Sequence, residues 1–324
     1  MNYNDIIKEV GRGKDGATDL DETTAQALYT AMLDGHVPEL ELGALLVAFR
    51  IKGESEAEMR GFYHAMQSRV VRLTPPVGQP RPVILPTHNG ARRQGNLTPL
   101  LALLLQRLGV PVLVHGVRRD PKRVTSAEVL AALDIDAVAS MASAQAALNA
   151  GQVVFLPEDV LSPGLDRLLQ LRWRLGVRNS THTLAKLADP FDNQSVRVVS
   201  VSHPDYLGRM AAFFRDTHAH AMLLRGTEGE VYANPKRCPR ITWFDAGREQ
   251  VLVEAEEGVI AAVPALPEEM DAAVTAAWIR RAMAGEVPVP QPILTQLACC
   301  LVAAGVSPDM TQATARVDQS IHGH

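Results

Sequence analysis

A proline-rich segment at positions 74–80 separates two parts of the chain that differ in the spacing of their apolar residues. The segment reads Thr-Pro-Pro-Val-Gly-Gln-Pro. It cannot hold a helix, because proline lacks a backbone N–H and has a fixed φ. Before it, the apolar residues recur at helical spacing only, with Asp21 and Ser55 at N-cap positions and Gly35 at a helix end. We therefore predict a small all-helical N-terminal domain over residues 1–74.

After this segment, short apolar stretches alternate with helical patterns. The predicted strands lie at 82–85, 110–114, 152–156, 196–201 and 221–224. Alternating strands and helices indicate crossover connections. We therefore predict a larger α/β domain over residues 81–324 with a mostly parallel central sheet, and domain contacts that are not strictly contiguous in the sequence. Ligands of such sheets bind beyond the carboxyl ends of the strands, which places the loops at 86–98, 115–125 and 225–232 around one cleft.

The composition argues against several classes of protein. The 324 residues include three cysteines, so a disulfide framework is not expected, and the neighbouring Cys299 and Cys300 are interpreted as packing residues. No apolar run reaches the roughly 20 residues that a membrane-spanning helix needs. The N-terminus lacks the basic-then-apolar order of a secretory signal. We therefore predict a soluble protein of the reducing cytoplasm with no membrane partner.

The net charge of −4 conceals two basic clusters. Seven cations and the single acid Asp120 lie between positions 91 and 124, and five cations and no acid lie between 167 and 186. Each cation could be an ordinary solvated surface residue, but two such clusters also suit a polyanion. From them we select the candidate nucleic-acid-binding residues Arg92, Arg93, Arg118, Arg119, Lys122, Arg123, Arg167, Arg172, Arg174, Arg178 and Lys186.

Several segments of the chain resemble the anthranilate phosphoribosyltransferases and nucleoside phosphorylases. Residues 33–35 and 42–54 are similar to the helical N-terminal domain of that family, and residues 175–178 and 187–190 are similar to its LGVRT…GPLTNP segment. The resemblance implies an α/β protein of the glycosyltransferase family 3 type, with a small helical domain. It also implies a parent reaction in which an aromatic acceptor attacks phosphoribosyl pyrophosphate (PRPP) held by magnesium (Mg²⁺).

Other stretches resemble the YbiB family, a branch of these transferase-like proteins. They are residues 6–14, 89–92, 96–101, 178–186 and 226–235. This resemblance implies a homodimer that binds DNA or RNA with little sequence preference and has no transferase chemistry. On that interpretation no cofactor is expected. The small helical domain would form the dimer contact through the apolar faces of residues 40–51 and 62–66, although a helical domain could also bury those faces against itself.

The loop after the first predicted strand departs from the transferase pattern. The transferases cradle phosphate there with a Gly-Thr-Gly-Gly-Asp turn, whereas this chain has Pro-Thr-His-Asn-Gly at 86–90. Pro86 donates no backbone hydrogen bond, and bulky His88 replaces a glycine that lets backbone N–H groups approach the ligand. His115 either caps its strand or faces a ligand. The degenerate PRPP site is assigned to His88, Asn89, Gly90, Asn96, Thr98, His115 and Gly116.

The segment that corresponds to the metal site also departs from the transferase pattern. The transferases bind magnesium through an Asp-Glu pair, and the corresponding positions are Gly229 and Glu230. One carboxylate cannot replace two around a divalent cation that also carries pyrophosphate. Glu228 lies two positions away and is expected to point elsewhere. We therefore expect no metal and assign Glu230 as a degenerate ligand.

The second basic cluster offers further groups for a nucleic-acid backbone. Arg172 corresponds to the transferase arginine that contacts anthranilate, and Arg167, Arg174 and Arg178 are spaced for one face of a helix. Trp173 either stacks on a base or packs against the sheet. The remaining candidates either bond phosphates or satisfy a turn, and they are Asn179, Thr181, His182 and Thr183.

Two functions follow. The first is a non-catalytic, sequence-nonspecific DNA- or RNA-binding protein on a degenerate transferase scaffold. The alternative is a phosphoribosyltransferase that uses PRPP, an aromatic amine or base, and Mg²⁺ in an altered manner.

Overall fold

The structure is a computed structural model that describes residues 1–202, 205–267 and 270–322. Its α-helices are, in chain order, α1 (Tyr3–Val10), α2 (Gly13–Gly16), α3 (Glu22–Asp34), α4 (Glu39–Lys52), α5 (Glu56–Gln67), α6 (Thr98–Arg107), α7 (Ser126–Ala132), α8 (Met141–Asn149), α9 (Glu158–Leu161), α10 (Pro163–Gln170), α11 (Arg172–Leu175), α12 (Thr181–Leu184), α13 (Asp205–Asp216), α14 (Ala272–Met283), α15 (Gln291–Ala303) and α16 (Met310–His322). A short 3-10 helix covers Ala185–Leu187. The strands are β1 (Val83–Thr87), β2 (Val112–Gly116), β3 (Val154–Pro157), β4 (Val196–Ser200), β5 (Ala221–Leu224), β6 (Ile241–Asp245) and β7 (Arg248–Val253).

The chain forms two compact units, and their boundaries differ from those of the predicted domains. The helical unit contains Met1–Val71 together with Glu158–Pro190, and the α/β unit contains Arg72–Pro157 and Phe191–His324. Helices α9 to α12 therefore belong to the helical unit, although the prediction placed them in the α/β domain. No helix in the described ranges is long and apolar enough to span a bilayer.

Local signals in the sequence account for the main helices of the helical unit. The Asp21 side chain accepts a hydrogen bond from Thr24 N at the start of α3, and Gly35 ends that helix in the left-handed region with φ 77°. Ser55 opens α5 with a capping box. Gly61 allows close packing of α5 on α3, because a Cβ there would lie 2.4 Å from a backbone oxygen of α3. The predicted all-helical N-terminal region is confirmed.

The α/β unit contains a seven-stranded sheet in the order β3-β2-β1-β4-β5-β6-β7. The first five strands in this order are parallel, and β6 and β7 add an antiparallel edge. All residues of β1, β2, β3, β4 and β5 are buried, as expected for a parallel sheet covered on both faces. Helices α6, α14 and α15 contribute the apolar residues that cover one face. The predicted, mostly parallel α/β domain is confirmed.

The loops that follow β1, β2 and β5 meet beyond the carboxyl ends of these strands. An isolated antiparallel bridge joins Ala91 to Val124, and another joins Gly226 to Ala233. The first bridge ties the loop after β1 to the loop after β2, and the second closes the loop after β5 on itself. The predicted convergence of these loops is therefore present within the α/β unit.

Candidate functional site

A buried carboxylate lies at the centre of the converging loops. Glu230 has no exposed surface. Its Oε1 atom accepts hydrogen bonds from the backbone N–H groups of Asn89 at 3.0 Å and Gly90 at 2.8 Å. Its Oε2 atom accepts from the hydroxyls of Thr98 at 3.1 Å and Ser126 at 3.3 Å. The hydroxyl of Thr87 also donates to Oε2.

The turn that carries Glu230 is held in an unusual backbone conformation. Glu228 and Gly229 have φ angles of 54° and 92°. A Cβ on Gly229 would lie 2.5 Å from the side-chain nitrogen of Asn89, so only glycine allows the turn to approach the loop after β1. The carbonyl of Gly229 accepts hydrogen bonds from the Asn89 amide at 2.8 Å and the Ser200 hydroxyl at 3.0 Å. These bonds orient the turn so that Glu230 points inward.

Two backbone N–H groups and three hydroxyls around one anion form an anion cradle. In this chain its ligand is a side chain of the same protein, because the carboxylate of Glu230 takes up the donors. All five donors bond Glu230, and the residue before it in the chain is Gly229. We call this arrangement the filled cradle.

The residues assigned to the degenerate PRPP site lie around the filled cradle. Asn89, Gly90 and Thr98 bond Glu230 directly. The side chain of Asn96 donates to the Ser126 hydroxyl at 3.1 Å, and its oxygen accepts from Thr98 N. Asn96 therefore holds two of the donors in place. The structure therefore brings Asn89, Gly90, Asn96 and Thr98 together around Glu230, and Glu230 accepts the hydrogen bonds of the cradle, a contact that the sequence did not indicate.

His88, His115 and Gly116 lie at the ends of the same two strands, beside the cradle. The two imidazole rings are buried and pack edge to face, with centroids 5.2 Å apart. A Cβ on Gly116 would lie 1.7 Å from the carbonyl oxygen of Thr87, so the pairing of β1 with β2 requires glycine there. His115 thus lies in the sheet itself, within β2.

Sequence reasoning missed two hydroxyl donors, Thr87 and Ser126. Ser126 is the first residue of α7, and Thr125 and Glu128 form a capping box at the start of this helix. A hydroxyl at a helix N-terminus that follows a buried strand is a signal for an anion site, and it was available in the sequence.

The acidic neighbour Glu228 points away from the filled cradle, as predicted. Its carboxylate accepts hydrogen bonds from the backbone N–H groups of Arg92 at 3.1 Å and Arg93 at 3.0 Å. It also lies 3.7 Å from the Arg92 side chain. Glu228 therefore shapes the start of the basic loop and neutralises part of the charge of Arg92.

The basic residues after β1 and β2 are brought together by the loop pairing. Ala91 and Val124 exchange two backbone hydrogen bonds of 2.9 Å. Arg92 follows Ala91 in the chain and Arg123 precedes Val124, so the pair brings the two arginines close to each other. Arg123 donates to the carbonyl of Gly90 at 3.2 Å and so helps to hold the pair. We call the exposed part of this cluster the basic loops, and it consists of Arg92, Arg93, Arg118, Arg119 and Lys122.

Three of these cations form no ion pair with an acid in the part of the chain that the structure describes. Among residues 1–202, 205–267 and 270–322, no acid forms an ion pair with Arg93, Arg119 or Lys122. The nearby acid Asp120 is buried and accepts a 2.9 Å hydrogen bond from Lys122 N. These three side chains are exposed, and the described acids leave their charges unpaired.

The second predicted basic cluster lies in the helical unit. The prediction that Arg167, Arg174 and Arg178 share one face of a helix is wrong. Helix α10 ends at Gln170, and α11 ends at Leu175 because Gly176 adopts the left-handed conformation with φ 73°. Arg178 follows that break, so Arg167, Arg174 and Arg178 do not share one helix.

Two arginines of this cluster are held by the helical unit itself. Arg167 donates to the carbonyls of Met32 and Leu33 at 2.8 and 2.9 Å, and so caps the end of α3. Arg174 forms a two-pronged ion pair with Glu39, at 3.3 and 3.2 Å. These two residues contribute less to an exposed basic surface than the sequence indicated.

The remaining candidates of the helical unit mostly satisfy local structure. Asn179 accepts from Thr181 N at 3.0 Å, and the Thr181 hydroxyl lies 2.9 Å from that of Tyr29. Both side chains are buried, as is that of His182, whereas Arg178, Thr183 and Lys186 are partly buried. Trp173 is 43% exposed, and the Arg172 guanidinium lies 4.0 Å from the centre of its ring. The Trp173 ring is therefore stacked by an arginine, on the surface rather than in a core.

Comparison with known proteins agrees with this fold. Residues 4–70 match the helical bundle domain of a glycosyl transferase family, and residues 90–323 match the a/b domain of a glycosyl transferase family. The chain is 51% identical to the YbiB protein of Escherichia coli (strain K12), over 99% of this chain and 100% of that protein, which is described as uncharacterized. It is 26% identical to an anthranilate phosphoribosyltransferase of Novosphingobium aromaticivorans, over 93% of this chain and 92% of that protein.

Known structures show the same architecture. The crystal structure of anthranilate phosphoribosyltransferase from Thermus thermophilus superposes with a TM-score of 0.79 at 25% identity, and covers 98% of this chain and 94% of that one. The anthranilate phosphoribosyltransferase of Saccharomyces cerevisiae in complex with PRPP and Mg gives a TM-score of 0.75 at 13% identity, over 99% of this chain and 93% of that one. At that identity the yeast protein shows the fold alone.

Proposed function

Because this chain belongs to the glycosyl transferase family, with both its helical bundle domain and its a/b domain, we propose that it keeps the scaffold of an anthranilate phosphoribosyltransferase but binds nucleic acid without transferring a phosphoribosyl group. The proposed ligand is DNA or RNA of any sequence. The basic loops are the proposed contact surface, and the filled cradle is the reason for the proposed loss of transfer chemistry.

The observation that carries the binding proposal is the pairing of Ala91 with Val124. This pair brings two loops together, so that cations from both lie on one part of the α/β unit. Arg93, Arg119 and Lys122 are exposed and unpaired by acids among the described residues. Guanidinium and ammonium groups on such a surface bind phosphates and release counterions, and this mode of binding does not depend on base sequence.

The filled cradle supports the absence of phosphoribosyl transfer. Transfer requires the pyrophosphate to be held by backbone donors and metal ions while the acceptor attacks. Here five donors bond Glu230. PRPP would have to displace a buried carboxylate that also repels its phosphates, and this makes binding unfavourable.

We also propose that the protein is a homodimer that pairs through α4. Leu40, Ala44, Val47 and Ile51 follow one another at spacings of four, three and four residues, so they form one stripe on this helix. Leu40 is 83% exposed and Ile51 59% exposed, which is a large apolar surface for one helix. By contrast Phe62 and Met66 are fully buried in the helical unit, so the predicted contact over 62–66 is an internal one.

The test is a salt titration of binding to a fluorescent 30-nucleotide DNA and an RNA of the same sequence. Wild-type protein is expected to lose affinity steeply with salt, with a log–log slope that grows by about 0.9 per phosphate contacted on duplex and about 0.7 on a single strand. The triple variant Arg93→Gln, Arg119→Gln, Lys122→Gln should bind at least about tenfold more weakly and have a slope smaller by about 2.

The matched control removes three other exposed arginines of the α/β unit, through Arg248→Gln, Arg281→Gln and Arg316→Gln. Its net charge is the same as that of the test variant, so equal loss of affinity in both would show that only overall charge matters. Salt-independent binding, or the absence of binding at low salt, would overturn the proposal.

The second candidate function is phosphoribosyl transfer itself, which the similarity to the anthranilate phosphoribosyltransferases favours. It requires Glu230 to leave the cradle and to bind magnesium. Wild-type protein would then consume PRPP with anthranilate in the presence of Mg²⁺, and Glu230→Gln would abolish the reaction. The filled cradle predicts instead that PRPP with Mg²⁺ at millimolar concentration neither shifts the melting temperature nor is consumed.

A further inference from the structure

A second concave site lies in the α/β unit, apart from the filled cradle. It is a cavity of about 610 Å³ at the carboxyl end of β5, bounded by the first half of α13 and by the loop that leads into β6. None of the residues that line it donates to Glu230. Its volume lies in the range of small-molecule sites, which is roughly 300–1,000 Å³.

Three arginines lie around this cavity, Arg225, Arg237 and Arg240. Arg225 is exposed and makes no ion pair or hydrogen bond with any residue that the structure describes. Arg237 uses its Nε to bond the carbonyl of Gly258 at 2.9 Å, which fixes the side chain. Arg240 lies 3.7 Å from Glu254, and both side chains are more than half exposed, so that pair is weak.

The two acids in the wall offset these charges only in part. Glu249 is bound by Arg215, which does not line the cavity, at 2.5 Å. Glu256 keeps its negative charge, because the only partner of its carboxylate among the described residues is the neutral backbone of Cys238, at 3.4 Å. Three arginines against this one acid, with Glu249 paired to Arg215, still leave the lining of the cavity with an excess of positive charge.

Part of the cavity wall is apolar, and it includes a glycine whose position has no close neighbouring atoms. Leu207, Ala211 and Leu223 supply the apolar surface. Between them Gly208 lies inside α13, and a Cβ there would meet nothing within 4 Å. Gly208 is exposed, so the surface above it is open and leaves room for a flat group.

We propose that this cavity binds a small organic monophosphate, with the phosphate on the arginines and a flat apolar group over Gly208. Arginine presents a planar fork of donors that matches two phosphate oxygens. Arg225 donates to no residue that the structure describes, so its fork is the one assigned to the phosphate. The apolar wall would contact the organic group of the ligand, and a free phosphate ion has no such group. The proposal is independent of nucleic-acid binding by the basic loops, because the two sets of residues do not overlap.

The experiment uses adenosine 5′-monophosphate as the probe, with inorganic phosphate and adenosine as its two halves. Binding is measured by isothermal titration calorimetry on the full chain. Adenosine monophosphate is expected to bind more tightly than either half. Arg225→Gln and Gly208→Leu should each weaken it by about tenfold or more, the first by removing a phosphate ligand and the second by filling the cavity.

Two controls separate loss of the site from loss of the fold. Gly208→Ala should raise the melting temperature, since alanine is the better helix former, and it should remain folded for comparison with Gly208→Leu. Arg316→Gln and the triple variant of the basic loops should leave the affinity unchanged. Should Gly208→Leu not fold, Arg240→Gln replaces it, with a severalfold loss expected.

Three results would overturn the proposal. The first is that adenosine monophosphate at 10 mM gives no heat of binding to the wild-type protein. The second is that inorganic phosphate binds as tightly as adenosine monophosphate. The third is that the Arg225→Gln variant binds adenosine monophosphate as tightly as the wild type. Loss of binding in the basic-loop variant would also overturn it, because it would assign the probe to the nucleic-acid surface.

Discussion

The backbone N–H of Gly90 donates a 2.8 Å hydrogen bond to the carboxylate of Glu230, a residue 140 positions further along the chain. Through this bond and those from four other donors, one side chain satisfies buried polar groups at the end of β1, in the loop after it, and at the first residues of α6 and α7. Each donor that loses its only acceptor costs about 1–3 kcal/mol. We therefore expect Glu230→Ala to lower the free energy of unfolding by about 2–4 kcal/mol, measured by urea denaturation.

A small carboxylate should partly restore the stability of Glu230→Ala. Formate at 100 mM is expected to raise the melting temperature of the variant more than that of the wild type, because it replaces the missing anion in the cradle. Chloride at equal ionic strength serves as the comparison. Equal responses of wild type and variant to formate would contradict the assignment of Glu230 as the ligand of the cradle.

Gly90 connects the filled cradle to the basic loops. It has a φ of 69°, and a Cβ there would lie 2.8 Å from the carbonyl oxygen of Val124. Gly90→Ala should therefore displace the Ala91–Val124 pair and weaken nucleic-acid binding severalfold at unchanged net charge. The measurement is the same salt titration, together with the melting temperature.

Gly151→Ala is the control for backbone strain alone. Gly151 has nearly the same φ, 70°, but a Cβ there would meet nothing within 4 Å. Both substitutions cost about 1–2 kcal/mol for the left-handed conformation, so only Gly90→Ala should lose further stability and affinity. Equal effects would show that the loop pairing does not position the cations.

The stripe on α4 predicts the oligomeric state. Leu40→Glu together with Ile51→Lys should convert a dimer to a monomer, since charged side chains cannot be buried at an apolar contact without partners. Sedimentation velocity gives the mass of each variant. Val77→Lys is the control, because Val77 is 97% exposed but lies in the α/β unit. A wild-type monomer, or a dimer that survives both substitutions, would exclude this interface.

The parts of the fold that depend on neighbouring residues were predictable from the sequence. Asp21 and Ser55 each cap the helix that was predicted to start there, because an N-cap needs only the next three residues. The buried parallel strands were predictable for a similar reason, since their apolar runs are short and bounded by turns.

The parts that depend on distant residues were not predictable. The bond between Glu230 and Gly90 joins loops that only the folded sheet brings together, so the sequence indicated a lost metal ligand and not an internal anion. The antiparallel edge strands β6 and β7 were not predicted. Strand β7 begins with Arg-Glu-Gln and is exposed over its first half, so it lacks the apolar run by which β1 to β5 were identified. The break at Gly176 was visible as a glycine, but its effect on the arginine face depends on the left-handed φ that the glycine adopts.

An ion pair in the helical unit gives a prediction for the pH dependence of stability. Asp34 accepts two hydrogen bonds from the Arg69 guanidinium, at 2.9 and 2.8 Å. These bonds hold the pKa of Asp34 below its ordinary value. A carboxyl whose pKa is depressed by folding contributes stability that is complete above its unfolded pKa, about 3.9, and is lost as the pH falls through the folded value.

Asp34→Asn should therefore destabilise the protein at pH 7, and the difference from wild type should shrink as the pH falls from about 4 toward 2. The expected loss at pH 7 is at most about 1 kcal/mol, because both side chains are about one-third exposed and solvent screens the pair. Melting temperatures across this pH range measure the effect, and Asp318→Asn on the exposed surface of α16 is the control. A difference that does not change with pH would mean that the substitution acts through packing, since only the charge of Asp34 is lost on protonation.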